Sequence, residues 1–163
     1  MSKPIADIFT LASEFINNLL RAELVAQGHH LTGALEASIN AVTSARGSTD
    51  TLEGFSLYYA QFVNKGFPAS SATFKQVPFL VRYFQERGLD PKEAVSAAFA
   101  TVKTWMVQGM PTSASRVFSE TGKRTDFIEE TFTKHAAEID EFILRKVDDY
   151  IEQLFQQEKS ETI

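Results

Sequence analysis

Ser38-Ile39-Asn40-Ala41-Val42-Thr43-Ser44-Ala45-Arg46-Gly47-Ser48-Thr49-Asp50-Thr51-Leu52-Glu53-Gly54-Phe55-Ser56-Leu57 decides whether this chain is purely helical or mixed. Its first half alternates through Ile39, Ala41 or Val42, Thr43 and Ala45, and its second half through Leu52, Phe55 and Leu57. A period near two is the mark of a strand. Gly47-Ser48-Thr49-Asp50 is rich in turn formers, so the stretch predicts a β-hairpin with a four-residue loop. No other segment gives a convincing strand. Two strands alone are marginally stable in water, so this hairpin needs either flanking helices or a neighbouring subunit's strands to complete it.

Helical periodicity dominates on both sides. From Pro4 to about Gln27, Ile5, Ile8, Phe9, Ala12, Phe15, Ile16, Leu19 and Leu20 recur at helical spacing, and Gly28 stops the pattern. After the hairpin, Tyr58 to Asn64 reads as a short helix or a strand end, and residues 67–73 as a surface loop. Pro78 starts a helix that Gly88 ends. Asp90-Pro91-Lys92-Glu93 is a compact helix start, with Asp at the N-cap and Pro in the first turn. That helix ends before Gly109-Met110-Pro111, and residues 111–125 are polar enough to predict an extended arm or loop. Asp126 with Glu129 opens a last helix reaching about Gln156. About thirty residues at ~1.5 Å each span roughly 45 Å, more than a globule of ~15 Å radius of gyration covers. Part of this helix must project or meet another chain. The fold class is therefore α+β: an N-terminal helix, a small antiparallel hairpin or sheet, and several helices including a long C-terminal one.

The chain has 163 residues, 44% of them hydrophobic, with fourteen phenylalanines, enough for a real core in one domain. No apolar run approaches the ~20 residues of a membrane span, and Met1-Ser2-Lys3-Pro4-Ile5-Ala6-Asp7 lacks a secretory pattern. The absence of cysteine excludes disulfides and thiolate metal sites. A formal net charge of −5 argues against sequence-independent nucleic-acid binding, which relies on Lys and Arg at phosphates.

Most chemical motifs in the sequence are incomplete. His29-His30 has no third ligand at suitable spacing, so surface or capping histidines are the simpler reading. His135 lies beside an apolar stripe and reads as an interface residue. Thr121-Gly122-Lys123-Arg124-Thr125 resembles the end of a phosphate loop, but Val117 stands where the first glycine belongs and Arg124 where Ser or Thr belongs. Arg116, Lys123 and Arg124 still make a basic cluster, either a solvated loop or a docking patch for an acidic neighbour or DNA backbone. No Gly-x-Ser-x-Gly elbow exists, and no cofactor is expected. Phe67, Phe74, Phe118 and Phe127 fall in or beside loop-like segments, where apolar residues tend to mark interaction surfaces.

Three segments in fixed order carry a family likeness. They are Leu31-Thr32-Gly33-Ala34-Leu35-Glu36-Ala37-Ser38-Ile39, then Tyr59-Ala60-Gln61-Phe62-Val63-Asn64-Lys65-Gly66, then Pro78-Phe79-Leu80. Together they resemble the HK97 gp10-like family of tailed bacteriophages, whose members sit in neck and tail-end rings. The likeness covers roughly residues 5–85. It implies that Thr32, Gly33, Leu35, Ser38 and Ile39 join the first helix to the hairpin, with Gly33 as hinge. It also implies that Tyr59, Ala60, Val63 and Gly66 follow the hairpin and that Pro78 and Phe79 open the next helix, all in structural or interfacial roles. Two departures stand out: Asn64 and Lys65 replace a Glu often found before the glycine, and residues 88–122 look inserted.

On that likeness the chain is expected to be a structural virion protein, not an enzyme. It would form a homomeric ring of about six or twelve copies in the head-to-tail connector or neck, through which genomic DNA passes without specific binding. Adjacent portal, connector or tail proteins would be its partners, and no membrane. It would be made in the host cytoplasm and reside in the virion. The expected layout is a single domain over 1–163, with a family-like core at 4–87, an inserted helix and extended arm at 88–125, and the long helix at 126–157. The hairpin is expected to extend a sheet across subunits, and the 111–125 arm to reach an adjacent ring. The alternative is a soluble helical adaptor or regulator that dimerises through the last helix.

Overall fold

The computed structural model describes residues 3–30, 32–46 and 49–161. Met1-Ser2, Leu31 and the Gly47-Ser48 centre of the expected turn lie outside the described residues. The protein is α+β. In chain order it has α1 (Lys3–Ala26), α2 (Ala34–Ser38), β1 (Asn40–Arg46), β2 (Thr49–Phe55), α3 (Ala60–Lys65), α4 (Val77–Glu86), α5 (Pro91–Gln108) and α6 (Phe127–Glu161). Short 3-10 helices occupy Ala69–Ser71, Phe74–Gln76 and Ser113–Phe118. The chain divides into two compact units.

The first unit comprises Met1–Glu23, Ala34–Leu57 and Ile128–Ile163, so it holds most of α1, α2, the hairpin and nearly all of α6. Its buried apolar residues are Ala12, Leu35, Ile39 and Ile139. Phe15 of α1 and Phe142 of α6 stack face to face, centroids 4.5 Å apart, an arrangement worth more than its buried area alone. Several polar groups share this interior: Ser13, Asn17, Glu23 and Thr131 are all buried. Glu23 is satisfied by Lys134, whose ammonium donates to both carboxylate oxygens at 2.9 and 2.8 Å.

The hairpin is the only sheet among the described residues, with two antiparallel strands registered Asn40↔Phe55 to Arg46↔Thr49. The strands depart from their expected limits: β1 starts at Asn40, after helical Ala34–Ser38, and β2 starts at Thr49, so Thr49 and Asp50 pair in the ladder and the expected four-residue loop is corrected. Ser38 closes both structures. Its hydroxyl donates to the Leu35 carbonyl at 2.7 Å and accepts from the Leu57 amide at 3.1 Å, at the open end of the hairpin. Arg21 fixes the approach from α1, donating to the Glu36 carbonyl at 3.2 Å and the Ile39 carbonyl at 2.7 Å.

The second unit comprises Leu24–Gly33 and Tyr58–Phe127. Its core joins Val77 and Leu80 of α4 to Ala98 and Val102 of α5, with Val81, Phe84 and Trp105 packed around them. The predicted start of α5 is present: the Asp90 carboxylate accepts from the Lys92 and Glu93 amides at 2.8 and 2.9 Å, with Pro91 in the first turn. Thr73 and Gln76 form a reciprocal capping box just before α4.

Residues 111–125 correct the expectation of an extended arm. Ser113–Phe118 coils into a 3-10 helix, and the chain then folds back so that the Glu120 amide donates to the Ala26 carbonyl at 2.8 Å. The polar composition that suggests an arm instead supplies the hydrogen bonds that pin it.

Candidate functional site

Within the second unit, a small antiparallel bridge joins the segment just after α3 to the segment just after α5. The Phe67 amide donates to the Met110 carbonyl and the Met110 amide to the Phe67 carbonyl, each at 2.9 Å. Gly66 and Gly109 stand beside it with φ of 67° and 77°. A Cβ at Gly66 would collide with the Met110 carbonyl, and one at Gly109 with the Phe67 carbonyl, so glycine is required twice over. This explains Gly66 within the Tyr59–Gly66 motif. Phe67 sets its ring edge-on to Trp105 at 5.1 Å and serves the inside of the unit.

The remaining expected interaction residues divide by exposure. Phe74 is exposed and lies 5.8 Å from the exposed ring of Phe99. Phe118 is exposed beside exposed Val117. Arg116 and Lys123 are exposed. Phe127 departs from the loop-surface expectation: only 2% exposed, it is one of the most deeply buried side chains, because it begins α6 rather than ending a loop.

Arg124 likewise leaves the basic cluster. Its guanidinium donates to the Ser115 carbonyl and the Gly28 carbonyl, each at 3.1 Å, and approaches His29 Nδ1 at 3.4 Å. His29 Nε2 in turn lies 3.2 Å from the Arg124 carbonyl. One tautomer satisfies both contacts: Nε2–H donates to the carbonyl, and bare Nδ1 accepts from the guanidinium. Burial, then the Arg124 charge, lowers the His29 pKa to about 4, with the backbone hydrogen bond opposing them. A neutral imidazole against a cationic guanidinium, the pair clasps Arg124 to Gly28 and His29. Lys65 reaches across to Asp126, its ammonium donating to the carboxylate at 2.9 Å and holding that carboxyl below its ordinary pKa. Asp126 takes a φ of 59°, a left-handed conformation Asp tolerates better than most residues.

The motif residues occupy structural places for the most part. Gly33 has a φ of 72° at the turn into α2. Leu35, Ile39 and Ala60 are buried, and Val63 is half-buried. Thr32, Tyr59, Pro78 and Phe79 are exposed, Phe79 by 77%.

In the first unit the open surfaces lie on α6 and the hairpin. An apolar groove of about 340 Å³ runs between Ile8, Phe9 and Ala12 of α1 and Ile143, Val147, Tyr150 and Ile151 of α6. Its lining has no carboxylate, imidazole or amine, and Tyr150 is its one polar side chain, so it is suited to holding apolar groups. Farther along α6, residues 151–160 are all exposed, among them the apolar Ile151, Leu154 and Phe155. On the hairpin, Val42 and Phe55 are 52% and 54% exposed. These surfaces were not among the residues singled out from sequence, although the length of α6 pointed to one of them.

His135 meets Glu138 one turn along the same helix, 2.7 Å away. Among the described residues no three His, Asp or Glu side chains gather in a way that could hold a metal ion. No helix among them is long and apolar enough to cross a membrane. No family model, no curated protein and no solved structure matches the chain.

Proposed function

We propose that this chain is an assembly protein that closes into a homo-oligomeric ring, of the kind that forms the head-to-tail connector or neck of a tailed bacteriophage. The observation that carries the reading is the apolar surface left uncovered by the chain itself. Leu144, Ile151, Leu154 and Phe155 on α6 are exposed, and a contiguous apolar surface of this kind marks an interaction site. The ordered likeness of residues 31–39, 59–66 and 78–80 to the HK97 gp10-like family supplies the virion setting. In that setting the net charge of −5 suits a passage through which DNA slides without being gripped. The partners would be further copies and the portal, connector or tail proteins above and below.

A second reading draws on the spacing of α6. Exposed Leu144, Ile151 and Phe155 recur at spacings of seven and four, the pattern of a helix seam, so a soluble adaptor dimerising through α6 is the competing assembly. Native mass spectrometry and negative-stain imaging of the pure protein separate the two. Closed rings of several copies support the proposal, a clean dimer supports the adaptor, and a strict monomer, alone and with a portal partner, overturns both.

A further inference from the structure

The hairpin leaves two strand edges open. β1 and β2 pair only with each other, and no third strand covers either one among the described residues. Natural proteins protect such edges with proline, lysine, a bulge or a covering element. Here β1 reads Asn-Ala-Val-Thr-Ser-Ala-Arg and β2 reads Thr-Asp-Thr-Leu-Glu-Gly-Phe, with neither proline nor lysine in either strand. The register from Asn40↔Phe55 to Arg46↔Thr49 is continuous, without a bulge. Both edges are templates for another strand.

The two edges differ in charge. β1 carries Arg46 and no acid, whereas β2 carries Asp50 and Glu53 and no base. Joining β2 to β2 about a two-fold axis would gather four carboxylates on adjacent strands, and like charges across a ladder destabilise it. Joining β1 to β1 gains no opposite charge. Only β2 of one copy against β1 of the next brings opposite charges together.

The side-chain faces agree. In the observed register, positions 40 and 42 share a face with positions 51, 53 and 55. Half-exposed Val42 and Phe55 both lie on that face. If the antiparallel sheet continues with a shift of two residues from the hairpin's own register, position 42 of one copy lies directly opposite Phe55 of its neighbour. The basic position 46 then lies diagonal to the acidic position 53. A β-branched residue facing an aromatic one and an opposite-charge diagonal are both favourable cross-strand relations.

We infer that the hairpin is a directional connector: the β2 edge of one copy accepts the β1 edge of the next, continuing the sheet head to tail between copies of this chain. Such a contact is heterologous, and it closes a ring if the rotation per copy permits, or forms an open filament if it does not. The inference rests on the homo-oligomeric reading above and specifies its interface.

Because the chain has no cysteine, disulfide trapping starts from a clean background. The single variants Val42→Cys and Phe55→Cys are prepared separately, then mixed under assembly conditions and mildly oxidised. The mixture is expected to give cross-linked pairs roughly tenfold above either variant alone, since heterologous contact joins position 42 only to position 55. Strong trapping by either variant alone indicates two-fold pairing and overturns the inference. A second test uses charge: Glu53→Arg is expected to weaken association about tenfold, and adding Arg46→Glu to the same chain to restore it. No rescue by the double variant overturns the inference. Light scattering on each sample keeps the two proposals apart. Oligomers without 42–55 trapping refute the connector and leave the ring reading standing, whereas monomers at every concentration refute the ring reading itself.

Discussion

His29 and Arg124 hold each other by two contacts at once, Nε2 at 3.2 Å from the Arg124 carbonyl and Nδ1 at 3.4 Å from its guanidinium. The arrangement works only while the imidazole is neutral. A proton on Nδ1 removes the acceptor and sets a second positive charge against the first. The clasp therefore carries a pH dependence, with its sign fixed by the geometry.

The His29 pKa is lowered to about 4 in the folded protein from an ordinary 6.5. Between those values the unfolded chain binds the proton and the folded chain does not, so stability falls as pH drops through this window. Above it His29 is neutral in both states and has no effect. Chemical denaturation from pH 7.5 to 4.5 should show this loss, and His29→Gln should flatten the part of the slope that His29 causes. An unchanged slope in the variant would mean that the imidazole titrates normally.

Gly66→Ala should destabilise the second unit by about 2 kcal/mol or more, since it adds left-handed strain to a collision with the Met110 carbonyl. Gly88→Ala makes the comparison. Its φ is 91° but no atom would lie near the added carbon, so about 1 kcal/mol from backbone strain is expected. Urea midpoints at constant m-value check the order of the two.

Lys134→Met should cost about 2 kcal/mol, less than for a fully buried pair because the ammonium is partly in water. Glu23, only 7% exposed, would lose the donor that reaches both its oxygens. Glu23→Gln combined with Lys134→Met should recover part of the loss, because the buried charge that lost its ammonium is gone. A double-mutant cycle on thermal unfolding measures the coupling, and simple additivity would rule out the pairing.

Leu144→Asp with Phe155→Asp should leave the single chain's stability within about 0.5 kcal/mol, both side chains being exposed and outside the groove. Assembly should instead be lost, as read by light scattering across a concentration series. Retained assembly would remove this face of α6 from the interface.

The features legible in the sequence are those written in local chemistry. Asp90 and Pro91 announce α5 because cap and first-turn residues act within one helical turn. The hairpin follows from its alternation and Gly66 from its place after a short helical run, whereas the hinge role of Gly33 came only with the family likeness. Residues 111–125 were misleading because their hydrogen bonds go to Ala26 and Gly28, nearly a hundred positions away, and no periodicity encodes a partner that distant. Arg124 looked like part of a basic patch for the same reason: charge is visible in a sequence, whereas the carbonyls that turn it inward are not. Phe127 sits one residue past a loop, and a one-residue boundary decides between surface and core. Thr73 and Gln76 were readable, since Thr followed three residues later by Gln is a capping signature, but the loop-like neighbours masked it.

α6 runs for 35 residues, yet its final ten described residues before Glu161 are exposed along their whole length. Beyond Ile151, which still lines the groove against α1, a helical end so exposed opens at little free-energy cost. In the lone protomer its amides should exchange with solvent at close to peptide rates, while those of the preceding turns stay protected. If further copies cover that end as proposed, the exchange should slow, and part of the ordering cost would fall due at assembly and not at folding. Its apparent thermal stability should then rise with protein concentration, which makes the helix end a built-in gauge of how many neighbours are present.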